Sequence, residues 1–296
     1  MNYPIFTGLL TAAVACSCYG SITNTINIEN GQVLGVADLA AGTFNGTSFT
    51  INSSLVININ DGGTMGSVDE YLGDWSGFSL SNATININSG GRLEGAADQI
   101  QLSTTILSRA RINLNENGSI GNLLIRGNGL STLNLYGGIT DQVVVDSPGF
   151  VRISGGIHHS LGGFAQAHNE LTTEILDGEI YGIGLRGNDR IDLRGGRIHS
   201  IGAVGGTLNI FGDELIIDGI AIDLALNETV ELNTGIFDFD VLSGTLEDGS
   251  FFEFDQYRED IFIGATTNVY FTRTVPTMPT TAIFASGLIA LTKRRR

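Results

Sequence analysis

Apolar and polar residues alternate with period two over short runs, and one run recurs along the chain: apolar, polar, apolar, with asparagine most often in the middle. Its copies are Ile26-Asn27-Ile28, Ile57-Asn58-Ile59, Ile85-Asn86-Ile87, Ile112-Asn113-Leu114 and Leu133-Asn134-Leu135. Val151-Arg152-Ile153, Thr173-Glu174-Ile175, Ile191-Asp192-Leu193 and Leu208-Asn209-Ile210 continue the series with other polar residues in the middle. Period two puts the flanking residues on one face of a strand and the central one on the other. After each copy come two or three turn residues including glycine. In most copies another apolar residue then follows, such as Val33, Leu93, Ile120, Ile139, Ile157, Ile180, Ile198 or Leu215. That pattern predicts a second short strand facing the same core.

One such unit cannot bury its apolar face alone, whereas units stacked in register bury a continuous column. The copies start at residues 26, 57, 85, 112, 133, 151, 173, 191 and 208, so the spacing falls from 31, 28 and 27 residues to between 17 and 22. A period near 20 predicts one coil of a right-handed parallel β-helix in an all-β chain, and the longer N-terminal spacings predict the same coil with loop insertions. Nine coils at about 4.8 Å each give a rod of roughly 43 Å. The Leu-x-x-Leu-x-Leu-x-x-Asn order of leucine-rich repeats is absent, and a β-sandwich, also rich in short strands, is the rival architecture. The central asparagines are expected to point outward and stack as amide ladders.

Composition agrees with many strands joined by tight turns: 41 glycines against 4 prolines, with Pro148 the only proline between the two ends. From Asp213 to Asp260 the pattern changes, with fourteen acidic residues, Arg258 as the only basic one, and aromatic alternation in Phe237-Asp238-Phe239 and Phe252-Glu253-Phe254. This stretch reads as a final coil and a strand-rich cap over the open hydrophobic end. The expected organisation is an N-terminal signal over residues 1–20, repeats over 21–212, the acidic coil and cap over 213–272, and a sorting segment over 273–296.

The ends carry the first statement about function. Ile5 to Ala15 is a short, mostly apolar run closing in Ala13-Val14-Ala15, the small-x-small pattern of a signal-peptide cleavage region. Cleavage near Ala15 leaves Cys16 as a lipidation candidate, and cleavage after Gly20 removes both Cys16 and Cys18. Either way the body has no cysteine for a disulfide or a thiolate metal site. At the other end Val275-Pro276-Thr277-Met278-Pro279 leads into an apolar stretch from Ala282 to Leu291 and then Lys293-Arg294-Arg295-Arg296. A proline motif, a hydrophobic segment and a terminal basic cluster together resemble the PEP-CTERM sorting signal of Gram-negative bacteria, in a variant with Val-Pro-Thr-Met-Pro where Pro-Glu-Pro is usual. The resemblance covers about the last 22 residues. It implies an exosortase-type processing enzyme as partner, an exported protein of the cell envelope, surface or matrix, and association with exopolysaccharide or biofilm. The apolar stretch is marginal for crossing a bilayer, so membrane association is transient or retained through this segment, its basic end held in the cytoplasm.

Charge points the same way. The whole chain carries 15 basic and 31 acidic residues, a net −16, and four of the basic ones are the last four residues. Without them, 11 basic residues face 31 acidic ones, a net −20, which excludes nucleic acid as a partner for the body.

Candidate chemistry is sparse. Asp177, Asp189 and Asp192 on adjacent coils, with Arg186, Arg190, Arg194 and Arg197 nearby, form the one acid-plus-arginine group suited to an acidic sugar. Alternating surface charge is the competing explanation, and no catalytic residue is assigned. Of the four histidines, His158 and His199 follow equivalent turns, with Tyr181 in the corresponding place between them, and are expected to share one polar edge of the rod. No metal ligand and no cofactor are assigned, although Asp238-Phe239-Asp240 and Glu247-Asp248-Gly249 offer hard oxygens of the kind calcium takes. Asn45, Asn52, Asn82, Asn117 and Asn227 match the glycosylation sequon, as an Asn-rich chain does by composition. The expectation is therefore an exported, non-enzymatic surface or matrix protein; the alternative is a carbohydrate-active β-helix enzyme, a polysaccharide lyase or hydrolase.

Overall fold

All nine copies of the repeated run lie in one parallel sheet and in one register. In the computed structural model Ile26 pairs through Ile57, Ile85, Ile112, Leu133, Val151, Thr173 and Ile191 to Leu208. Asn268–Arg273 adds a tenth strand to the same sheet, opposite Thr207 to Gly212. The structure describes residues 24–52, 55–66, 82–94, 109–126, 130–146, 148–162, 170–232, 240–255, 261–263 and 266–276. The cleavage region at Ala13, Ala15, Cys16 and Gly20, and the tail from Thr277 to Arg296, lie outside these residues. Val275 and Pro276 follow the tenth strand and are exposed.

The fold is an all-β parallel β-helix, and its stability comes from two inward columns in this first sheet. One of them runs Ile28, Ile59, Ile87, Leu114, Leu135, Ile153, Ile175, Leu193, Ile210 and Phe271, every member with no exposed surface. Each fully buried aliphatic side chain stabilises by about 1.5–3 kcal/mol relative to exposure. Outside the sheet, the central asparagines form the expected ladder: Asn58, Asn86, Asn113 and Asn134 each donate from Nδ2 to the Oδ1 of the asparagine one coil earlier, at 2.9, 2.9, 2.8 and 2.7 Å. A second ladder joins Asn60, Asn88 and Asn115 at 2.8 Å per step.

A second parallel sheet holds the strands after the turn, from Val33–Leu34 through Thr64–Gly66 and Arg92–Glu94 to Arg197–Ile198. Its inward column is Leu34, Met65, Leu93, Ile120, Thr140, His158, Ile180 and Ile198. This corrects the expectation at three coils, because Val33, Ile139 and Ile157 point outward, 48%, 47% and 39% exposed. Part of the cause is turn length. The second inward residue comes six positions after the first in the early coils (Ile28 to Leu34, Leu114 to Ile120) and five from Leu135 to Thr140 onward. A slip of one residue exchanges the faces of a strand.

A third parallel sheet, which the two-strand unit did not anticipate, is present among the described residues from the fourth coil onward. It comprises the ends of Ser119–Arg126, Ile139–Asp146 and Gly149–Gly162, the starts of Ile183–Leu193 and Ile201–Ile217, and Ile261–Ile263. Leu123, Val143, Leu161, Ile183 and Ile201 form its inward column. In the first coil the short helix Val36–Ala41, ended by Gly42 at φ 65°, stands between the second sheet and a small hairpin.

At the other end the chain does not turn at Gly212, as the ninth copy suggested, but runs straight on to Ile217. It pairs antiparallel with Ile220–Ile222 and with Val241–Leu246, which in turn pairs with Phe251–Asp255. This antiparallel layer buries Phe252 and Phe254 over the last coil before the chain returns to complete the first sheet.

Candidate functional site

The acid-plus-arginine group disperses around the rod. Asp192 faces out of the first sheet, held by Arg190 through two bonds of 2.8 and 2.7 Å and by Asn209 Nδ2 at 2.7 Å. Asp177 lies at the corner between the first and second sheets and accepts the Gly178 amide at 2.7 Å. Asp189 occupies the corner between the third and first sheets, where the register jumps between Gly187 and Arg190. There it is buried and accepts the Leu171 amide of the preceding coil at 3.1 Å. Burial pushes its carboxyl above the usual range, and the Leu171 and Arg186 amides partly offset that. The three carboxylates share no face, and each serves a bond of the fold.

Arg194 is likewise engaged. Its guanidinium binds Glu247 at 2.7 Å and stands 3.7 Å from the centre of the Phe211 ring. Beside it, Asp248 accepts the Gly196 amide at 2.9 Å and the Ser250 amide at 2.8 Å. The acidic tip of the cap hairpin is thus a latch onto the corner at Arg194 to Gly196, and the Glu247 and Asp248 oxygens meet a guanidinium and amides. Asp238 and Phe239 lie outside the described residues. Among the described residues no three histidine, cysteine or carboxylate side chains gather.

The shared polar edge exists with one member exchanged. His159, not His158, stacks on Tyr181 at 5.2 Å between ring centres, and Tyr181 stacks on His199 at 4.5 Å. His199 Nε2 donates to Glu179 at 3.0 Å, which lowers the carboxyl of Glu179 below its usual value. His158 instead lies in the buried column of the second sheet. A carbonyl only accepts, so Nε2–H donates to Gly155 O at 2.9 Å, and Nδ1 receives the Thr140 hydroxyl at 3.1 Å.

That ring is a source of pH dependence. Desolvation lowers its pKa below 6.5, so the unfolded chain takes up a proton that the folded rod resists. Stability is full above 6.5 and falls as pH drops below it. Glu179 adds a loss only below its ordinary 4.5, and Asp189 acts oppositely, losing stability as pH rises above 3.8. The wild type is expected to lose melting temperature between about pH 7.5 and about pH 5.5, and His158→Gln to lose clearly less. Equal losses in both proteins would remove His158 as the cause.

The outer face of the third sheet carries a groove of about 440 Å³. Gly162, Gly184 and Gly202 stack in register along its floor. Gln142, Ser160 and Ser200 form one wall, next to the His159–Tyr181–His199 stack, and Arg186 and Val204 form the other. Sequence reading missed it, although Ile183-Gly184-Leu185 and Ile201-Gly202-Ala203 put glycine between apolar residues of a strand, where it is disfavoured. The sequon asparagines Asn45, Asn82, Asn117 and Asn227 all have positive φ, so they are turn residues. Comparison with protein-family models, with curated sequences and with solved structures returns no match, so the role of the groove rests on its own geometry.

Proposed function

We propose that the protein is an exported, non-enzymatic surface or extracellular-matrix component, sorted through its C-terminal tail and displayed as a rigid acidic rod among exopolysaccharide. The observation that carries the non-catalytic half is the commitment of Asp177, Asp189 and Asp192 to bonds of the fold on three separate parts of the coil. Glycoside hydrolysis needs two carboxyl groups facing one bond.

Export rests on the two end signals: the cleavage region near Ala13 to Gly20, and the proline motif followed by Lys293 to Arg296. The tenth strand ends at Arg273, so an exposed Val275-Pro276 leaves the rod as the start of the proposed sorting motif. An exosortase-type enzyme is the proposed processing partner, and nucleic acid is excluded by charge. Fractionation of cells making the whole chain tests the proposal: the rod belongs outside the inner membrane.

A further inference from the structure

We propose that the groove on the third sheet is a binding site for an uncharged polysaccharide, one to three sugars of which lie along the rod axis on the floor of Gly162, Gly184 and Gly202. The inference rests on the surface-or-matrix reading and gives it a ligand and an address.

Three observations support it. The first is shape. Ser200, directly before the strand Ile201–Ile217, and Val204 within it are four residues apart, so the walls stand about 13 Å apart, and the floor glycines span about 10 Å across three coils. A groove of about 440 Å³ with these dimensions suits a chain of pyranose rings.

The second is that the fold does not require these glycines. A Cβ on Gly202 would meet nothing within 4 Å, and on Gly184 its nearest neighbour would be Gly162 Cα at 3.5 Å, an ordinary contact. None of the three has a left-handed φ. Corner glycines such as Gly91 differ, since a Cβ there would strike the Ile59 carbonyl oxygen at 2.2 Å. Gly184 and Gly202 are each the second residue of a strand and Gly162 the last of one, all three paired in the sheet. A glycine within a sheet that packing does not demand marks a place where something else can approach closely. The depression exists because three successive coils forgo a side chain there.

The third is chemistry. The walls offer the Gln142 amide, the Ser160 and Ser200 hydroxyls and the Arg186 guanidinium, while Val144 and Val204 give apolar surface. Hydroxyl donors and acceptors beside C–H faces match a sugar ring. Charge selects among sugars: the chain carries a net −16, and Arg186 is the one cation among the described residues that line the groove, so a polyanion meets repulsion that a neutral glycan does not.

The test is affinity electrophoresis of the full chain through gels holding a soluble neutral β-glucan, a galactomannan or alginate, with new reducing or unsaturated ends assayed in parallel. Retardation by a neutral polymer, with no new chain ends, is expected. Gly202→Val should fold and melt no lower than wild type, because its side chain enters open space, yet bind at least about tenfold more weakly. Arg186→Ala and Gln142→Ala should each weaken binding by about fivefold or more. Wild-type protein that ignores both neutral polymers, or a Gly202→Val variant that binds as wild type does, overturns the groove assignment and leaves the export reading standing. Preference for alginate overturns the choice of an uncharged ligand. New chain ends overturn the non-enzymatic reading instead.

Discussion

Phe271→Ala is expected to destabilise the rod by about 3–5 kcal/mol, the range for removing a fully buried aromatic side chain. Phe271 ends the inward column that begins at Ile28, and its strand is held on one side by Thr207 to Gly212 and on the other by Thr229–Glu231. Its loss leaves a cavity against Ile210 and loosens the strand that completes the last coil. In a repeat array each coil is stabilised by its neighbours, so damage at the final coil frays inward. Leu226, 55% exposed nearby, is the control, and Leu226→Ala should change stability by less than about 0.5 kcal/mol. Urea titration of both variants reads the difference. A cost below about 1 kcal/mol for Phe271→Ala would mean that the column does not close where the structure places its end.

Gly91→Ala is expected to cost about 3 kcal/mol, whereas Gly31→Ala should cost only about 1 kcal/mol. The two glycines occupy comparable turns for different reasons. A Cβ at Gly91 would sit 2.2 Å from Ile59 O and 2.8 Å from Ile59 C, backbone atoms of the preceding coil. That carbonyl accepts the Asn88 amide at 2.8 Å, so it cannot withdraw without breaking the ladder between coils. At Gly31 a Cβ would meet nothing, and only φ of 78° opposes it. Thermal melts of the two variants separate close approach from backbone conformation. Equal losses would show that the coils are not packed as tightly as this contact requires.

The first sheet was legible because its signal is redundant. Ile-Asn-Ile fixes the strand, its two faces and its register at once, and nine copies in an almost unbroken series leave one way to stack. The second sheet was legible in outline only. Ile157 looks like a core residue and His158 like a surface one, and the turn from Ile153 to His158, one residue shorter than in the early coils, puts His158 inward instead. The cost of burying an imidazole is offset by Thr140 and Gly155, partners that linear spacing does not announce. Leu215 is in the core as its pattern suggests, but Gly212 misled: it looked like a turn and in fact admits the backbone of Thr245 alongside it.

Of the candidate site, the carboxylates were legible as residues but not as bonds. Asp189 and Asp192 are three apart in sequence, yet one lies buried in a corner and the other is covered on the outer face of the first sheet by Arg190 and Asn209. The groove was hidden because its floor is made of what is missing. Gly184 and Gly202 carry no side chain to read, and only the pairing of the third sheet brings them side by side.

The central claim is that this rod works outside the cell, and the intact mass of the protein recovered from the envelope and extracellular fractions tests it most directly. A chain that begins at Cys16 or later, present in those fractions whether or not the tail beyond Pro279 has been removed, is the predicted result. A chain of full length, beginning at Met1 and still ending in Arg296, confined to the cytosol, would contradict it.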